Sequence, residues 1–200
     1  MSDELVFYGN PHSRAQMVHF MLEELGVPYR FVLVDFQNGE SRAPDYLAIN
    51  PMGKVPAITH RGVTVTETGA IIAYLADAFP DKGLAPAMDD PRRGPWLRWL
   101  FFGAGVFEPA LLDTMLNRVE APKATAGYGS YPDALRALET MLDPGPWILG
   151  DAFSAADVYI GAELAWASNF GAPGLADHPR LVDYIDRIKA RPTYRKTVSA

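Results

Sequence analysis

Hydrophobic and polar positions alternate with a changing period along the chain. Residues 4–8 form a short β-rich run, and after Gly9 and Pro11 the apolar residues recur at helical spacing until Gly26, which predicts a helix stop. Residues 29–34 are almost continuously apolar, so we expect a second strand that is buried and parallel to the first. The pattern predicts a strand–helix–strand unit of about 30 residues.

The next part of the chain continues this small α/β pattern. Residues 35–50 are rich in charge, glycine and proline and predict a loop with a turn of helix. Residues 55–59 and 63–66 then predict a hairpin, and the apolar positions of residues 67–79 predict a helix. The first 80 residues therefore predict the order βαβ followed by ββα.

The strand signal ends in the middle of the chain. Residues 81–91 combine prolines with charges that largely cancel, which is typical of a linker. Beyond them, helical periodicity covers residues 92–119, 132–142, 154–169 and 178–190. Because the class of secondary structure changes here, we expect a domain boundary. The predicted organisation is an α/β domain over residues 1–80, a linker over 81–91 and an all-α helical-bundle domain over 92–200.

Composition and charge exclude several classes of protein. The chain has 200 residues, of which 48% are hydrophobic and 21% charged, as in ordinary globular proteins. The formal net charge of -6 disfavours a nucleic-acid partner, because phosphate binding requires a concentrated basic face. The first residues do not resemble a signal peptide, and no window approaches 18 unbroken apolar residues. We therefore expect a cytoplasmic protein without a membrane partner.

Cysteine and histidine usage limits the available chemistry. The chain has no cysteine, which excludes disulfides, thiolate metal sites and a CxxC redox pair of its own. Its four histidines, His12, His19, His60 and His178, lack the spacing of a metal site. We expect no bound metal.

The segment around Pro56 is the first candidate for binding. Pro56 lies where a strand is predicted to begin, a position at which proline's missing donor is tolerated. If the Val55–Pro56 bond is cis, the Val55 amide and carbonyl turn outward into a groove. There they could pair with a bound peptide as an added strand.

Glu67 and Thr68 open the next predicted helix. Free backbone amides, a hydroxyl and the positive end of a helix dipole together form a site for a carboxylate. When this pair is considered alone, a simple helix cap is the better explanation, because capping accounts for most such pairs. The combination with Lys54, Val55 and Pro56 across a short hairpin favours a binding site.

These motifs carry a resemblance to a known family. The run NPMGKVPA at residues 50–57, followed by Glu67 and Thr68 before a helix, resembles cytosolic glutathione transferases of bacterial type. WILGD and FSAAD at residues 147–157, and the closing HPRLVDYIDRIKARPTY at residues 178–194, resemble the same family. The resemblance covers essentially the whole chain. It implies a thioredoxin-like glutathione-binding domain and an all-helical domain that contributes the electrophile site.

The resemblance also implies roles for individual residues. In the family, the residue before the cis-proline pairs through its backbone with the cysteinyl unit of glutathione, which corresponds to Val55 here. The acidic and hydroxyl pair that holds the γ-glutamyl end corresponds to Glu67 and Thr68, and the lysine that often reaches the glycyl carboxylate corresponds to Lys54. Ser154 and Asp157 match the family's capping signature, and we expect Ser154→Ala to weaken that helix by roughly 1 kcal/mol.

Three residues are candidates for stabilising the glutathione thiolate. A donor is needed because a free thiol, with a pKa near 8.5, is only about 3% ionised at pH 7. Ser13 is the first choice, since its hydroxyl stands at the start of a helix, although simple N-capping explains it equally well. Asn10 is the second choice, because its amide can donate to a thiolate. Tyr8 is the third, because strand alternation favours a position in the core.

The activity implied by the resemblance is conjugation of glutathione to small hydrophobic electrophiles, as in detoxification, by a homodimer. The aromatic residues between positions 96 and 107 are expected mostly in the core or a subunit interface, with one or two lining the electrophile site. Two alternatives stay open. One is a glutathione-dependent disulfide-bond reductase that exchanges two glutathione-derived sulfurs. The other is a non-catalytic protein that binds partners or apolar ligands through the same fold.

Overall fold

A computed structural model describes residues 3–119, 121–122 and 124–198 of the chain. Its first part combines one sheet with three helices. The strands are β1 (Leu5–Gly9), β2 (Arg30–Leu33), β3 (Ala57–His60) and β4 (Val63–Thr66), and the helices are α1 (Ala15–Leu25), α2 (Pro44–Ile49) and α3 (Thr68–Ala78). This is the predicted order βαβ followed by ββα, with α2 lying in the segment predicted as loop and helical turn.

The sheet order is β2-β1-β3-β4. β2 is parallel to β1, whereas β3 is antiparallel to both β1 and β4. Ala57 at the start of β3 pairs with Tyr8 near the end of β1 and with Thr66 at the end of β4. The end of β1, the start of β3 and the end of β4 therefore lie side by side at one end of the sheet. The thioredoxin-like architecture is confirmed.

Local sequence signals explain the limits of α1. Gly26 adopts φ 59°, and its N–H donates to the Leu22 carbonyl at 3.0 Å, which ends the helix as predicted. Apolar residues at helical spacing, among them Met17, Phe20 and Met21, are buried. Burial of this face is what stabilises a helix of eleven residues, which would be marginal alone.

The expectation that β2 is buried is wrong. β2 lies at an edge of the sheet, and Phe31 and Leu33 are 48% and 53% exposed. An edge strand has a neighbour on one side only, so its side chains keep contact with solvent. A continuous apolar run cannot distinguish this position from a central strand, because both contain the same residue types.

Beyond β4, the described residues form helices and loops, with two isolated bridges between residues 147 and 152. The helices are α4 (Arg93–Phe102), α5 (Glu108–Met115), α6 (Tyr131–Met141), α7 (Ala155–Asn169), α8 (Pro179–Ala190) and α9 (Pro192–Val198). A π-helical turn, Gly103–Phe107, separates α4 from α5. The predicted long helix over residues 92–119 is thus interrupted at a glycine-containing turn.

The core of the helical part surrounds α7. Most α7 side chains are buried, which is the pattern of a helix covered on all sides. A capping box starts this helix as predicted, with the Ser154 N–H donating to Asp157 Oδ2 at 2.9 Å. Trp96, Trp99 and Phe107 are also buried, which confirms the core role expected for most of that aromatic cluster.

The contacts divide the chain into two compact units. The first contains the chain up to Lys82 together with α9, and the second runs from Gly83 to Arg191. The sequence instead predicts a helical domain over all of residues 92–200. The difference arises because α9 packs on α1, where Tyr194 meets Phe20 edge to face with ring centroids 5.3 Å apart. Among the described helices, none has the length and apolarity to cross a membrane.

Candidate functional site

The predicted binding residues lie at the end of the sheet where β1 ends and β3 begins. The Val55–Pro56 peptide bond is cis, as the motif implied, and Pro56 directly precedes β3. Within the part of the chain that the structure describes, no hydrogen bond uses the Val55 amide or carbonyl. These two backbone groups are available to a ligand that lies along the start of β3.

Glu67 and Thr68 follow β4 at the same end of the sheet. Glu67 is exposed, has φ 68° and ψ 121°, and accepts the Ile71 N–H through its carbonyl at 2.9 Å. Thr68 is half-buried and is the first residue of α3. The first amides of a helix have no acceptor within it, so this end offers donors and a positive dipole to an anion. Because Ala57 pairs with Thr66, Val55 and Glu67 stand at the same end of the hairpin.

Ser13 lies just before α1 and its hydroxyl is already engaged. The hydroxyl donates to the Asn10 carbonyl at 2.7 Å and accepts the Ala15 N–H at 3.1 Å. The bond from the Ala15 N–H satisfies one backbone donor at the start of α1, but the N-cap residue of that helix is Arg14, so Ser13 is not its cap. To donate to a thiolate, the hydroxyl must first turn away from the Asn10 carbonyl.

Asn10 holds the same loop from its other end. Its amide donates one N–H to the Val34 carbonyl at 3.0 Å, and its side-chain oxygen accepts the His12 N–H at 3.0 Å. An amide carries two N–H groups, so one donor is left after the bond to Val34. Asn10 can therefore donate to a ligand without breaking a bond of the loop.

Tyr8 lies in β1, beside Ala57 and on the opposite face of the sheet from Phe7. Its side chain is half-buried, and its ring centroid lies 6.2 Å from that of Tyr46. No described residue hydrogen-bonds its hydroxyl. Tyr8 is therefore only partly packed into the core, because its ring lies beside Tyr46 while its side chain remains partly exposed.

The Lys54 side chain is exposed, while its backbone carbonyl is held firmly. Tyr46 Oη donates to this carbonyl at 2.6 Å and Asn50 Nδ2 donates at 2.8 Å. Sequence reasoning missed both donors. The asparagine stood in the NPMGKVPA motif and was not assigned a role, and Tyr46 lies in a helix that was predicted only as a turn.

The described residues contain no group of three or more His, Cys, Asp or Glu side chains that could hold a metal ion. His60 illustrates the difference between a buried histidine and a ligand. It is 2% exposed, its Nδ1 pairs with the Tyr74 hydroxyl at 2.9 Å, and burial lowers its pKa. This ring is packed into the fold.

Comparison with known proteins agrees with this geometry. The family model for the N-terminal domain of glutathione S-transferase matches residues 4–77, and the model for the C-terminal domain matches residues 121–187. Glutathione S-transferase GstA of Escherichia coli O157:H7 is 31% identical over 206 residues, covering 98% of this chain and 97% of that protein. The chain belongs to the glutathione S-transferase family.

Two further relatives bear on activity. The disulfide-bond oxidoreductase YfcG of Escherichia coli K12 is 29% identical over 199 residues, covering 92% of this chain and 90% of YfcG. A glutathione transferase homologue from Sulfitobacter, crystallised with bound glutathione, superposes with a TM-score of 0.77 at 29% identity. That match covers 99% of this chain and 98% of the Sulfitobacter chain. The relatives of this chain therefore include both glutathione transferases and a disulfide-bond oxidoreductase, at similar sequence identity.

Proposed function

We propose that this chain is a glutathione transferase that conjugates the glutathione thiolate to small hydrophobic electrophiles. The observation that carries the proposal is that the unpaired Val55 backbone and the N-terminus of α3 lie at the same end of the sheet. An extended tripeptide needs main-chain partners along its length and a site for its carboxylates, and this end of the sheet offers both. The relative from Sulfitobacter binds glutathione, which supports the choice of ligand.

In this proposal each candidate residue takes one part of the tripeptide. The Val55 amide and carbonyl pair with the cysteinyl unit, as an added strand would. Glu67 and Thr68, with the first amides of α3, hold the γ-glutamyl end, because its ammonium suits a carboxylate and its carboxylate suits a helix N-terminus. The exposed Lys54 reaches the glycyl carboxylate.

The thiolate must be stabilised by residues that end β1 or begin α1. Lowering a thiol pKa by about two units requires roughly 2.7 kcal/mol of preferential interaction with the anion. One directed donor and the positive end of α1 together supply an effect of this size. Ser13 keeps its place as first candidate by position, while Asn10 has a free N–H and Tyr8 has a free hydroxyl.

Disulfide reduction is the second candidate function, and the likeness to YfcG is the observation that favours it. One glutathione thiolate would attack the substrate disulfide, forming a mixed disulfide and releasing one thiol. A second glutathione thiolate would then release the other thiol and form oxidised glutathione. The protein would contribute binding and thiolate stabilisation, since it has no cysteine to take part.

The first experiment is calorimetric titration with reduced glutathione, followed by conjugation of an aryl halide and by reduction of a small disulfide. Binding with conjugation supports the transferase, and binding with disulfide reduction alone supports the second candidate. Absence of binding contradicts both enzymes and leaves the non-catalytic alternative. A cytoplasmic homodimer is part of the same proposal, and light scattering of the purified protein tests its subunit number.

The thiolate donor is tested with three variants. Ser13→Ala, Asn10→Ala and Tyr8→Phe each remove one candidate donor, and absorbance titration of the bound thiolate reports its pKa. The variant that raises this pKa by one unit or more identifies the donor. If none of them does so, the three assignments are wrong and the helix end alone supplies the effect.

A further inference from the structure

The Lys54 carbonyl is held in one direction by two side-chain hydrogen bonds. Its two donors, Tyr46 Oη at 2.6 Å and Asn50 Nδ2 at 2.8 Å, belong to side chains that are only 6% and 3% exposed. Two buried donors on one acceptor restrict the direction of that carbonyl more than one donor would. Burial also keeps water from competing for these bonds.

The same side chains hold the turn that leads to Lys54. Asn50 Oδ1 accepts the Met52 N–H at 3.0 Å, and the Asn50 carbonyl accepts the Gly53 N–H at 2.8 Å. Arg42 Nη1 donates to the Met52 carbonyl at 3.1 Å from the neighbouring segment. The turn is therefore closed by its own hydrogen bonds, and the direction of the Lys54 carbonyl is set before any ligand arrives.

The Lys54 carbonyl and the Val55 N–H belong to one peptide group. A trans peptide is planar, so its C=O and N–H point in opposite directions. Holding the carbonyl towards Tyr46 and Asn50 directs the Val55 N–H away from them. That N–H has no partner among the described residues, and it is one of the two groups assigned to the cysteinyl unit of glutathione.

We propose that Tyr46 and Asn50 are positioning residues for glutathione, which they serve by fixing the peptide that carries the Val55 N–H. This inference rests on the proposed function. The two residues act through the backbone and do not touch the reacting sulfur, so they should govern the binding of glutathione and leave the chemical step unchanged.

Tyr46 is suited to this task over a wide range of pH. Burial raises the pKa of Tyr46 to about 12, with the neighbouring Tyr8 adding to the effect. The phenol therefore stays protonated and remains a donor wherever the protein is folded. Tyr46 is the buried residue of α2.

Tyr46→Phe is the sharpest test, because it removes the hydroxyl and keeps the buried ring. We expect the Kd and KM for glutathione to rise about three- to tenfold, the scale of one lost hydrogen bond. The kcat at saturating glutathione and the KM for the aryl halide should stay within about twofold. Tyr74→Phe is the matched control, since it removes a hydroxyl that bonds His60 at 2.9 Å, and it should leave the glutathione KM unchanged.

Asn50→Asp provides a second variant of the same shape. It keeps an oxygen for the Met52 N–H and places an oxygen where the amide donor faced the Lys54 carbonyl. We expect the glutathione KM to rise at least as much as in Tyr46→Phe. The inference is overturned if both variants bind glutathione as the wild type does, or if kcat falls while KM is unchanged. Failure of the wild type itself to bind glutathione would instead overturn the proposed function.

Discussion

At the scale of single residues, Glu67 combines an exposed side chain with a backbone conformation that most residues avoid. Its φ of 68° and ψ of 121° cost of order 1–3 kcal/mol for a residue that is not glycine. The surrounding structure has to maintain this conformation. A carboxylate held in a costly position at the end of β4 supports the assignment of Glu67 to ligand binding.

Glu67→Ala tests that assignment. We expect the Kd for glutathione to rise about tenfold or more, because a charge-assisted hydrogen bond to the γ-glutamyl ammonium is lost. The free energy of unfolding should change little, since the side chain is exposed. Calorimetry and urea unfolding measure the two quantities. Asp81→Ala, which removes another exposed carboxylate, is the control, and an equal effect of both variants would contradict the role of Glu67.

Asp157 is a second residue with a measurable signature. It is fully buried, and burial raises its pKa to about 6 although the Ile148 N–H, the Ser154 N–H and the Tyr184 hydroxyl all donate to it. In the unfolded chain an aspartate titrates near pH 3.9. Between these values the folded protein holds the proton more tightly, so this stabilisation is complete below about pH 4 and is lost as the pH rises through 6.

The expected loss is about 3 kcal/mol in the free energy of unfolding. Urea unfolding of the wild type and of Asp157→Asn from pH 4 to 7.5 isolates it, because other titrating groups cancel in the difference. The stability of the wild type relative to the variant should fall with rising pH. A rising difference for Asp157→Asn would mean that the hydrogen bonds outweigh burial.

Single residues also mark the limit of prediction from the sequence. Val55 and Glu67 are candidates from the sequence because proline and a helix start leave recognisable patterns. Tyr46 and Asn50 leave no such pattern, because their proposed role depends on one carbonyl that lies close to them only in the folded chain. The engagement of the Ser13 hydroxyl with the Asn10 carbonyl is likewise a matter of geometry, since serine before a helix is compatible with capping and with catalysis.

At the scale of helices, α7 and α8 approach closely at Gly161. A Cβ added there would lie 2.4 Å from Ile188 Cδ1 and 2.5 Å from its Cγ1. Real Cβ atoms do not approach so closely, and Ile188 is fully buried with little room to move. The glycine thus allows two helices to pack, which offsets its unfavourable helix propensity.

Gly161→Ala should therefore destabilise the protein by about 1–3 kcal/mol, although alanine favours helix. Gly105→Ala is the control, since an added Cβ meets nothing within 4 Å there, and its stability should stay equal or rise. Combining Gly161→Ala with Ile188→Ala, which removes both the Cγ1 and the Cδ1 atoms of Ile188, should cost less than the sum of the two single variants. Additive losses would show that the contact with Ile188 is not the cause.

Some helix ends and helix starts are predictable from short patterns in the sequence. Gly26 and the Ser154–Asp157 capping box specified a helix end and a helix start, because each satisfies backbone groups locally. The exposure of β2 and the π-helical turn between α4 and α5 were not predictable in this way. The first depends on which neighbours a strand has, and the second on the packing around Gly103, where an added Cβ would lie 2.9 Å from Tyr159.

At the scale of the whole molecule, the chain leaves its first unit after Lys82 and returns to it with α9. Composition cannot show this return, because α9 is a short helix that follows other helices in sequence. The contacts show it plainly. Tyr194 is 7% exposed and packs on Phe20, Thr193 hydrogen-bonds Glu24, and Lys196 pairs with Glu23 at 3.0 Å.

Removing the buried ring of α9 should therefore weaken α1 in particular. We expect Tyr194→Ala to lower the free energy of unfolding by about 3 kcal/mol, the scale of a large-to-small change in a core. Deuterium uptake should increase more at the amides of α1 than at those of α7, because α1 loses its direct contact. Val198→Ala, at an exposed position of the same helix, should change neither quantity appreciably. If Tyr194→Ala raised uptake equally in α1 and α7, α9 would stabilise the protein as a whole, and its grouping with the first unit would have no energetic meaning.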